Sequence, residues 1–245
     1  TRGCNAASPT QYGSTVAIGN VVVSPSEFMP RLFAENGRLL DSQGRITLDT
    51  PEALRALENY RETYSYSDRT IYDFWKNALE GFADGTAAMT VVFINYASHI
   101  LNSQMSRIAG KLGFAPVPGG KPLLGGGVIG IAQSCTCPAA ACKFLEWLYA
   151  DLVAPVFTML GGLSPCRSAY SNRDISEQYP WLSTARKSFP TAQRRSNSTY
   201  YQNFSELQLE TILAAHVQQA VLGVCSPEEA LKQAQEDCNR YFQPW

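Results

Sequence analysis

The sequence predicts a protein of the α/β class with more helix than sheet. Two near-continuous apolar runs, at residues 87–94 and 128–132, have the length and composition of strands that are buried on both faces. Around them, apolar residues recur at helical spacing, and clusters of Gly, Pro, Asn and Ser separate the segments. The length of 245 residues allows one large domain or two modest ones. The apolar content of 45% is enough for a buried core, which excludes a disordered or collagen-like protein.

The first half of the chain is predicted to alternate short extended segments with amphipathic helices. The helix at 51–64 has the clearest start, because Thr50 can cap it and Pro51 occupies its first position, where a missing N–H costs nothing. The other predicted elements are a short strand or turn at 21–23, a helix from 27 that stops at 36–37, two extended pieces around a turn at 42–44, a helix from about 72 to 82, the strand at 87–94, a helix at 95–105 and a strand at 112–115.

The second half opens with the strongest linker signal of the sequence. Residues 116–122 contain three prolines and two glycines, which favours a crossover between two lobes. The elements predicted after it are the strand at 128–132, a helix that begins at Pro138, a helix at 152–160, a short helix at 181–187, and two long helices that open with capping boxes at Ser205 and Ser226.

The charge balance bears on the kind of partner. Twenty basic and 21 acidic side chains give a net charge of −1, which removes the electrostatic argument for nucleic acid or an anionic membrane. No apolar run approaches the roughly 18 residues that span a bilayer, and none has the layout of a signal peptide.

Seven cysteines leave at least one thiol unpaired or available to another chain. Cys135, Cys137 and Cys142 form a C-x-C-x4-C cluster that invites a zinc interpretation, but no second Cys/His pair lies nearby to complete four ligands. Small half-buried thiols beside a helix start are the alternative that we favour. We therefore expect no metal and no cofactor.

Gly125, Gly126, Gly127 and Gly130 match the G-x-G-x-x-G pattern of dinucleotide-binding proteins. That chemistry needs the glycines after a strand and at the start of a helix, whereas these glycines precede the predicted strand at 128–132. The interpretation left is a loop in which the backbone approaches something closely, with a ligand as one candidate.

Signals for catalysis are weak. Ser164 lacks the second glycine of a nucleophile elbow, and proline follows it directly. His216 lies on the apolar stripe of a predicted helix, which favours a hydrogen-bonded core histidine, and His99 has no partner that the sequence identifies. A carboxylate pair for glycoside hydrolysis stays open, because its separation cannot be seen in a sequence. We expect a protein that is not an enzyme.

Aromatic and amide side chains are concentrated around the predicted loops. Flat aromatic faces stack on the C–H faces of sugars while amides satisfy the hydroxyl groups, so this composition suits a neutral polyhydroxylated ligand. The side chains in question are Trp75, Tyr96, Trp181, Tyr200, Tyr201 and Phe204, with Asn95, Asn197, Gln202 and Asn203.

The order of several motifs resembles that of family 1 extracellular solute-binding proteins, the maltose-binding-protein-like receptors of ABC importers. FADGTAAM at 82–89 is similar to the F-x-x-G-x-A-A-M motif of that family, and FAPVPG at 114–119 resembles its P-x-P-G hinge. Five further segments match in order: 33–54, the glycines at 125–127, ACKFLEWL at 141–148, GGLSPCR at 161–167 and SPEEAL at 226–231.

The resemblance implies a periplasmic-binding-protein-like type II fold, in which two α/β lobes hold the ligand in a cleft. It places 1–118 in the first part of the second lobe, 119–165 in a return segment of the first lobe, and 166–245 in the C-terminal helices of the second lobe. By this alignment the initial half of the first lobe is missing. We therefore expect exposed strand edges at 128–132, filled by that half-lobe or by a swapped copy, and weak or no sugar binding by these residues alone.

Carried over by position, the resemblance also implies a binding site and a role. Tyr96 lies where the family often places a stacking aromatic, usually Trp, with Asn95 beside it. The other candidates are Gly125, Gly126, Gly127, Arg167, Tyr12 and Trp75.

The implied role is carbohydrate capture for the permease subunits of a bacterial ABC importer, by a lipoprotein outside the membrane or a periplasmic protein. The alternatives are a non-sugar solute such as glycerol phosphate or a polyamine on the same scaffold, and a glycosidase-type enzyme.

Overall fold

The computed structural model describes residues 7–19, 21–69, 74–171 and 173–245. The chain forms two compact units. Unit 1 comprises Thr1–Val92, Val117–Leu124 and Thr191–Trp245, and unit 2 comprises Phe93–Pro116 and Gly125–Pro190. The chain thus passes between the units inside the proline- and glycine-rich stretch at 116–122. The assignment of 1–118, 119–165 and 166–245 to lobes of the family fold stays a prediction.

The described residues contain eleven α-helices, four short strands and two 3₁₀ turns. The helices are α1 (Val23–Ala34), α2 (Pro51–Ser65), α3 (Trp75–Ala83), α4 (Ala97–Leu101), α5 (Pro138–Leu148), α6 (Val153–Met159), α7 (Ser168–Ser171), α8 (Arg173–Gln178), α9 (Pro180–Ser188), α10 (Glu206–Leu222) and α11 (Pro227–Tyr241). The strands are β1 (Tyr12–Thr15), β2 (Ala87–Thr90), β3 (Leu123–Leu124) and β4 (Gln193–Arg194), and the 3₁₀ turns are Ile94–Tyr96 and Phe189–Thr191.

The predicted helix starts at Thr50, Ser205 and Ser226 are confirmed. The Thr50 side chain accepts a hydrogen bond from the amide of Ala53, and Ser205 and Ser226 accept from the amides three residues further on, at 3.3 and 3.1 Å. Each cap satisfies an amide that the first helical turn leaves without a partner. These caps fix where α2, α10 and α11 begin.

The core of unit 1 is built by α1, α2, α10 and α11, which pack on one another, while β1 and β2 pack mainly against α3. Fully buried apolar side chains on the facing helix surfaces fill it: Phe28, Leu32, Leu57, Tyr60, Leu209, Leu213, Val217 and Leu231. β1 and β2 pair in parallel, with Tyr12 opposite Ala87 and Thr15 opposite Thr90. β3 and β4 also pair in parallel, with Leu123 opposite Gln193.

The core of unit 2 is smaller and centres on α9. Trp181 and Leu182 are almost fully buried, and they pack with Ala97 of α4, Ala154 of α6 and Tyr170 of α7. The predicted short helix at 181–187 is confirmed as α9, and the helix at 152–160 is confirmed as α6. Helix α5 begins at Pro138 as predicted, but none of its residues is buried.

Three strand predictions are wrong. Residues 87–94 form a strand only as far as Thr90, because β1, the strand that pairs with it, ends at Thr15; Met89 is 65% exposed. Residues 112–115 and 128–132 form no strand, since neither segment has a ladder partner among the described residues. An apolar run becomes a buried strand only where neighbouring strands accept its hydrogen bonds.

Two helix boundaries also differ from the prediction. Helix α1 begins at Val23, four residues before the predicted start, and residues 21–22 form a turn, which is one of the two alternatives predicted there. Pro25 fits its first turn, where no amide hydrogen is needed. The helix predicted at 95–105 is a 3₁₀ turn followed by the five-residue α4. The predicted start of α3 near residue 72 lies outside the described residues.

Within the described residues, no helix combines the length and the apolar character that crossing a membrane requires.

Candidate functional site

In unit 1, the candidate site is the carboxyl edge of the β1–β2 sheet. Parallel strands present their carboxyl ends at one edge, where open α/β sheets bind ligands. Here the two strands end at Thr15 and Thr90, whose hydroxyl groups are hydrogen bonded at 2.8 Å. The loop that leaves β1 at residue 16 therefore forms the rim of this edge.

The rim loop is held by side chains from three directions. The Tyr60 hydroxyl of α2 donates to the carbonyl of Ala17, and Gln218 of α10 donates to the carbonyl of Ile18 at 2.7 Å. Ser24 of α1 donates to the carbonyl of Gly19 at 2.6 Å. Three successive carbonyls are thus fixed, so this part of the edge is preformed.

Trp75 lies at this edge, whereas Tyr12 does not. Trp75 begins α3, and its partly buried side chain packs against the cluster formed by Ala17 of the rim loop, Val23 and Ala78. Tyr12 begins β1, and its amide donates to the carbonyl of Thr86 at 2.9 Å. Since a strand rises about 3.3 Å per residue, Tyr12 lies roughly 10 Å from the carboxyl end of β1.

Sequence reasoning missed a cluster of buried charges next to this core. Arg195 is ion-paired with Glu210 of α10 and donates to the Ser26 hydroxyl of α1 at 3.0 Å, and Glu210 is only 2% exposed. On α1, Glu27 pairs with Arg31 at 3.0 Å, and burial raises the pKa of Glu27 against the opposing effect of Arg31. The available signal was an acidic residue on the apolar stripe of a predicted helix.

In unit 2, the structure brings Gly125 next to the segment that contains Asn95 and Tyr96. Asn95 is exposed and Tyr96 is half-buried in the 3₁₀ turn, and Phe93 precedes them. A Cβ atom added to Gly125 would lie 3.1 Å from the Phe93 ring, so the backbone passes close to this segment. Gly126 and Gly127 are exposed and have open space around them. The close approach predicted for the glycine loop is therefore confirmed at Gly125 alone.

Arg167 offers an exposed positive charge in unit 2. It directly precedes α7, and its carbonyl accepts from the amide of Tyr170 at 3.0 Å and the hydroxyl of Ser171 at 2.9 Å. Its guanidinium group forms no hydrogen bond or ion pair with the residues that the structure describes. The backbone is thus anchored while the charged end is available to a ligand.

Several other aromatic candidates have structural roles. Trp181 and Tyr201 are buried, and the Tyr201 hydroxyl accepts from the amide of Ile46 at 2.9 Å. The ring of Tyr201 stacks on Phe204, with centroids 6.4 Å apart. Since they are buried, Trp181 and Tyr201 cannot stack on a sugar, whereas Trp75, Tyr96, Tyr200 and Phe204 are each partly exposed.

His216 and the described cysteines belong to no cluster of metal-ligating side chains. The hydrogen bond predicted for His216 is confirmed, since its Nε2 atom lies 2.8 Å from Asp237, but the residue is half-buried rather than part of the core. Cys137 and Cys142 are exposed free thiols. Across the described part of the chain, no three His, Cys, Asp or Glu side chains converge into a group that could hold a metal ion.

A two-unit α/β architecture with ligand-type side chains at strand and loop ends is typical of solute-binding proteins, and comparison with known proteins supports this class. The family model of bacterial extracellular solute-binding proteins matches residues 7–184. The chain therefore belongs to that family. A probable amino-acid ABC transporter periplasmic-binding protein of Sinorhizobium fredii is 20% identical over 182 residues, which are 73% of this chain and 42% of that protein.

Solved structures agree on the fold. Maltose-bound MalE3 of T. maritima matches with a TM-score of 0.79 and 21% identity, over 94% of this chain and 60% of that one. UgpB of Mycobacterium tuberculosis in complex with glycerophosphocholine matches with a TM-score of 0.72 and 19% identity, over 98% and 60%. The predicted type II periplasmic-binding-protein fold is confirmed. The chain spans less than two thirds of the length of each of these proteins.

Proposed function

We propose that the protein that contains this chain is the substrate-binding component of an ABC importer and captures a sugar or oligosaccharide for delivery to the permease subunits. The observation that carries this proposal is the family match over residues 7–184, together with an accessible aromatic–amide pair in unit 2. Binding by stacking and hydrogen bonds needs no metal, cofactor or catalytic group. The role requires a location outside the cytoplasmic membrane, either lipid-anchored or periplasmic, in a bacterium.

The proposed contacts follow from the placement of each side chain. The half-buried ring of Tyr96 is the stacking platform, and the exposed amide of Asn95 is the partner for hydroxyl groups. Gly125 keeps the backbone close to this segment, and the open Gly126 and Gly127 leave room for a ligand. Arg167 supplies donors for a sugar oxygen.

In unit 1, Trp75 is proposed as a second aromatic contact because it lies at the carboxyl edge of the sheet. The sequence favoured Tyr12 over Trp75, but Tyr12 is the weaker proposal in the structure, since it occupies the other end of β1.

A second candidate is a phosphate-bearing polyol on the same scaffold. UgpB of Mycobacterium tuberculosis matches this fold and was solved with glycerophosphocholine. The specific observation that favours this candidate is Arg167, whose exposed guanidinium group could form a bidentate pair with a phosphate. The same position therefore serves either ligand class, and only binding data separate them.

The test is a thermal-shift screen of the protein expressed from its complete gene, against mono- and oligosaccharides, polyols, glycerophosphocholine and amino acids. A ligand that binds only the folded state stabilises it by about 2.7 kcal/mol at 100 times its dissociation constant, which gives a measurable rise in Tm. We expect the rise with at least one carbohydrate. A rise with glycerophosphocholine alone, abolished by Arg167→Ala, would establish the second candidate. Stabilisation by amino acids alone would contradict both.

A further inference from the structure

Unit 1 contains a cavity of about 520 Å³ between the start of α2 and the end of α11. The side chains that line it come from residues 41–50, from 200 and 201, and from 235–244, and they are a mixture of aromatic, amide and charged groups. Its volume lies within the range of small-ligand sites, about 300–1,000 Å³. We call it the α2–α11 cavity.

The α2–α11 cavity lies at the opposite end of the helices from the rim loop. Thr50 lines the cavity and caps the start of α2, whereas Tyr60, which holds the rim loop, is ten residues or about 15 Å further along. Tyr201 lies before the start of α10, whereas Gln218, the α10 contact of the rim loop, lies about 18 Å beyond the first residue of that helix. The cavity is therefore separate from the carboxyl edge of the β1–β2 sheet.

One wall of the cavity is fixed by side-chain hydrogen bonds to the backbone. The amide of Leu48 donates to the Gln235 side chain at 2.6 Å, and the same side chain donates to the carbonyl of Ile46 at 3.1 Å. The amide of Ile46 donates to the Tyr201 hydroxyl at 2.9 Å. The wall is thus preformed by groups from α11 and from the segment before α10.

The wall presents a row of polar side chains. Ile46 and Leu48 are buried, Thr47 is half-buried, and Arg45 and Asp49 are exposed, which is the alternation of an extended segment. Arg45, Thr47 and Asp49 all line the cavity. At about 3.3 Å per residue, the row is about 13 Å long, which suits a chain-like ligand.

The polar groups of the cavity include donors and acceptors that no described residue uses. The Arg45 Nε atom donates to Asp41 at 2.7 Å, but its two terminal nitrogens form no hydrogen bond with the described residues. The same holds for the Asn239 amide nitrogen and the Asp49 carboxylate. Tyr201 is 8% exposed, and its hydroxyl accepts a backbone amide but donates to no described atom. Buried polar groups of this kind are ordinarily paired, so the cavity suits a polar ligand.

Tyr200 adds an aromatic ring whose orientation is fixed. The residue is half-buried, and its ring stands edge-on to that of Tyr201, with centroids 4.9 Å apart and an angle of 84°. Its amide donates to the Ser198 hydroxyl at 3.1 Å, and its carbonyl accepts from the amide of Trp245 at 3.2 Å. A ring that is already held in place loses little conformational entropy when a ligand stacks on it.

The charges and hydrogen-bonding groups favour a neutral carbohydrate over an ion. Asp41, Arg45 and Asp49 sum to a charge of −1, and Asp41 compensates Arg45, so a free anion gains no net attraction. A cation would meet the Arg45 guanidinium. Hydroxyl groups both donate and accept, so a sugar satisfies Arg45, Asn239 and Asp49 together, and its C–H face stacks on Tyr200.

We propose that the α2–α11 cavity is a second binding site, which holds a short neutral oligosaccharide. Tyr200 is the stacking ring, and Arg45, Asn239 and Asp49 are the hydrogen-bonding partners. The proposal goes beyond solute capture for an importer, because none of these residues belongs to the sugar contacts proposed above. Each site therefore binds whether or not the other is occupied.

The experiment is an NMR titration of the ¹⁵N-labelled protein expressed from its complete gene, followed at the side-chain amide signal of Asn239. That signal is assigned by its loss in Asn239→Ala. The probes are maltotriose, cellotriose and mannotriose, and we expect at least one of them to shift the signal in a saturable way. Tyr200→Ala should weaken this binding at least fivefold, while Tyr200→Phe should stay within twofold of the wild type. The matched control is Tyr66→Ala, since Tyr66 is 42% exposed in unit 1 and does not line the cavity.

Further variants separate folding and the other site from this one. Asp49→Asn changes an exposed side chain that holds no described residue, so it keeps the fold and should weaken binding at least threefold. Tyr96→Ala should leave the titration of the Asn239 signal unchanged, so a failure of the capture site and a failure of this site are distinguishable.

Three results would overturn the proposal. The first is an Asn239 signal that shifts with none of the three neutral trisaccharides. The second is a signal that shifts only with trigalacturonate or with trilysine, which would assign the cavity to an ion. The third is binding that Tyr200→Ala and Tyr66→Ala affect equally.

Discussion

Glu210 provides the sharpest test of how unit 1 is held together. Its side chain is buried on α10 and ion-paired with Arg195, which also donates to Ser26 of α1. Removing one partner of a buried pair leaves the other charge without compensation, at a cost of about 3–5 kcal/mol when both are fully buried. Because the Arg195 side chain is 27% exposed and also attracts the nearby Glu206 carboxylate, that cost is reduced, and we expect Glu210→Leu to destabilise the protein by about 2–3 kcal/mol.

Combining Glu210→Leu with Arg195→Met tests whether the two side chains stabilise the protein as a pair. Arg195→Met alone should cost about 3 kcal/mol, since it buries an uncompensated carboxylate. Together with Glu210→Leu it should cost only about 1 kcal/mol, because the hydrogen bond to Ser26 is then the main loss. Urea unfolding monitored by circular dichroism gives the free energies, and hydrogen exchange should show lost protection in α10 but not in α9 of unit 2. Additive costs, or single variants that cost less than 1 kcal/mol, would refute the reasoning.

Three further predictions concern packing, reactivity and pH. Gly119→Ala should destabilise the protein by at least about 2 kcal/mol more than Gly120→Ala. Both glycines have a positive φ, but only at Gly119 would an added Cβ clash, because it would lie 2.3 Å from the Cβ of Ala34. Equal free-energy costs in urea unfolding would contradict this prediction. Burial raises the pKa of the Cys238 thiol to about 12. At pH 8, iodoacetamide should therefore label the exposed Cys137 rapidly and Cys238 only when the protein unfolds. Equal labelling of the two residues, measured by mass spectrometry, would contradict this prediction. Burial raises the pKa of Glu27 above 4.5, so the folded state binds the Glu27 proton more tightly than the unfolded state does. The free energy of unfolding should therefore fall as the pH rises from 4.5 through the raised pKa. Glu27→Gln should remove this pH dependence, and an unchanged dependence in the variant would contradict the prediction.

Local signals predicted helices well, because each signal acts within a few residues. The proline at position 51 and the Thr50 side chain together fix the start of α2, and the Ser226 cap does the same for α11. Such caps satisfy the first amides of a helix without reference to the rest of the fold. The family motifs added the fold itself, since their order reflects an arrangement that no single segment specifies.

Strands could not be predicted in the same way, because a strand depends on a partner that is distant in sequence. Residues 128–132 are as apolar as a buried strand, yet Val128 is fully exposed and the segment has no ladder. The motifs marked Tyr96 and Gly125 as site candidates, and the structure brings their segments together, while their role in binding stays a prediction. The Arg195–Glu210 pair was not, because residues 15 apart in the chain meet only through the packing of α10 on α1.

The measurement that bears most directly on the account is titration calorimetry of the protein expressed from its complete gene with maltose and longer oligosaccharides. The account predicts a dissociation constant in the micromolar range for at least one of them. Tyr96→Ala should weaken that binding tenfold or more, about 1.4 kcal/mol, while Tyr96→Phe, which keeps the stacking ring, should bind nearly as well as the wild type. Heat of binding from glycerophosphocholine or an amino acid, with none from any carbohydrate, would contradict the account.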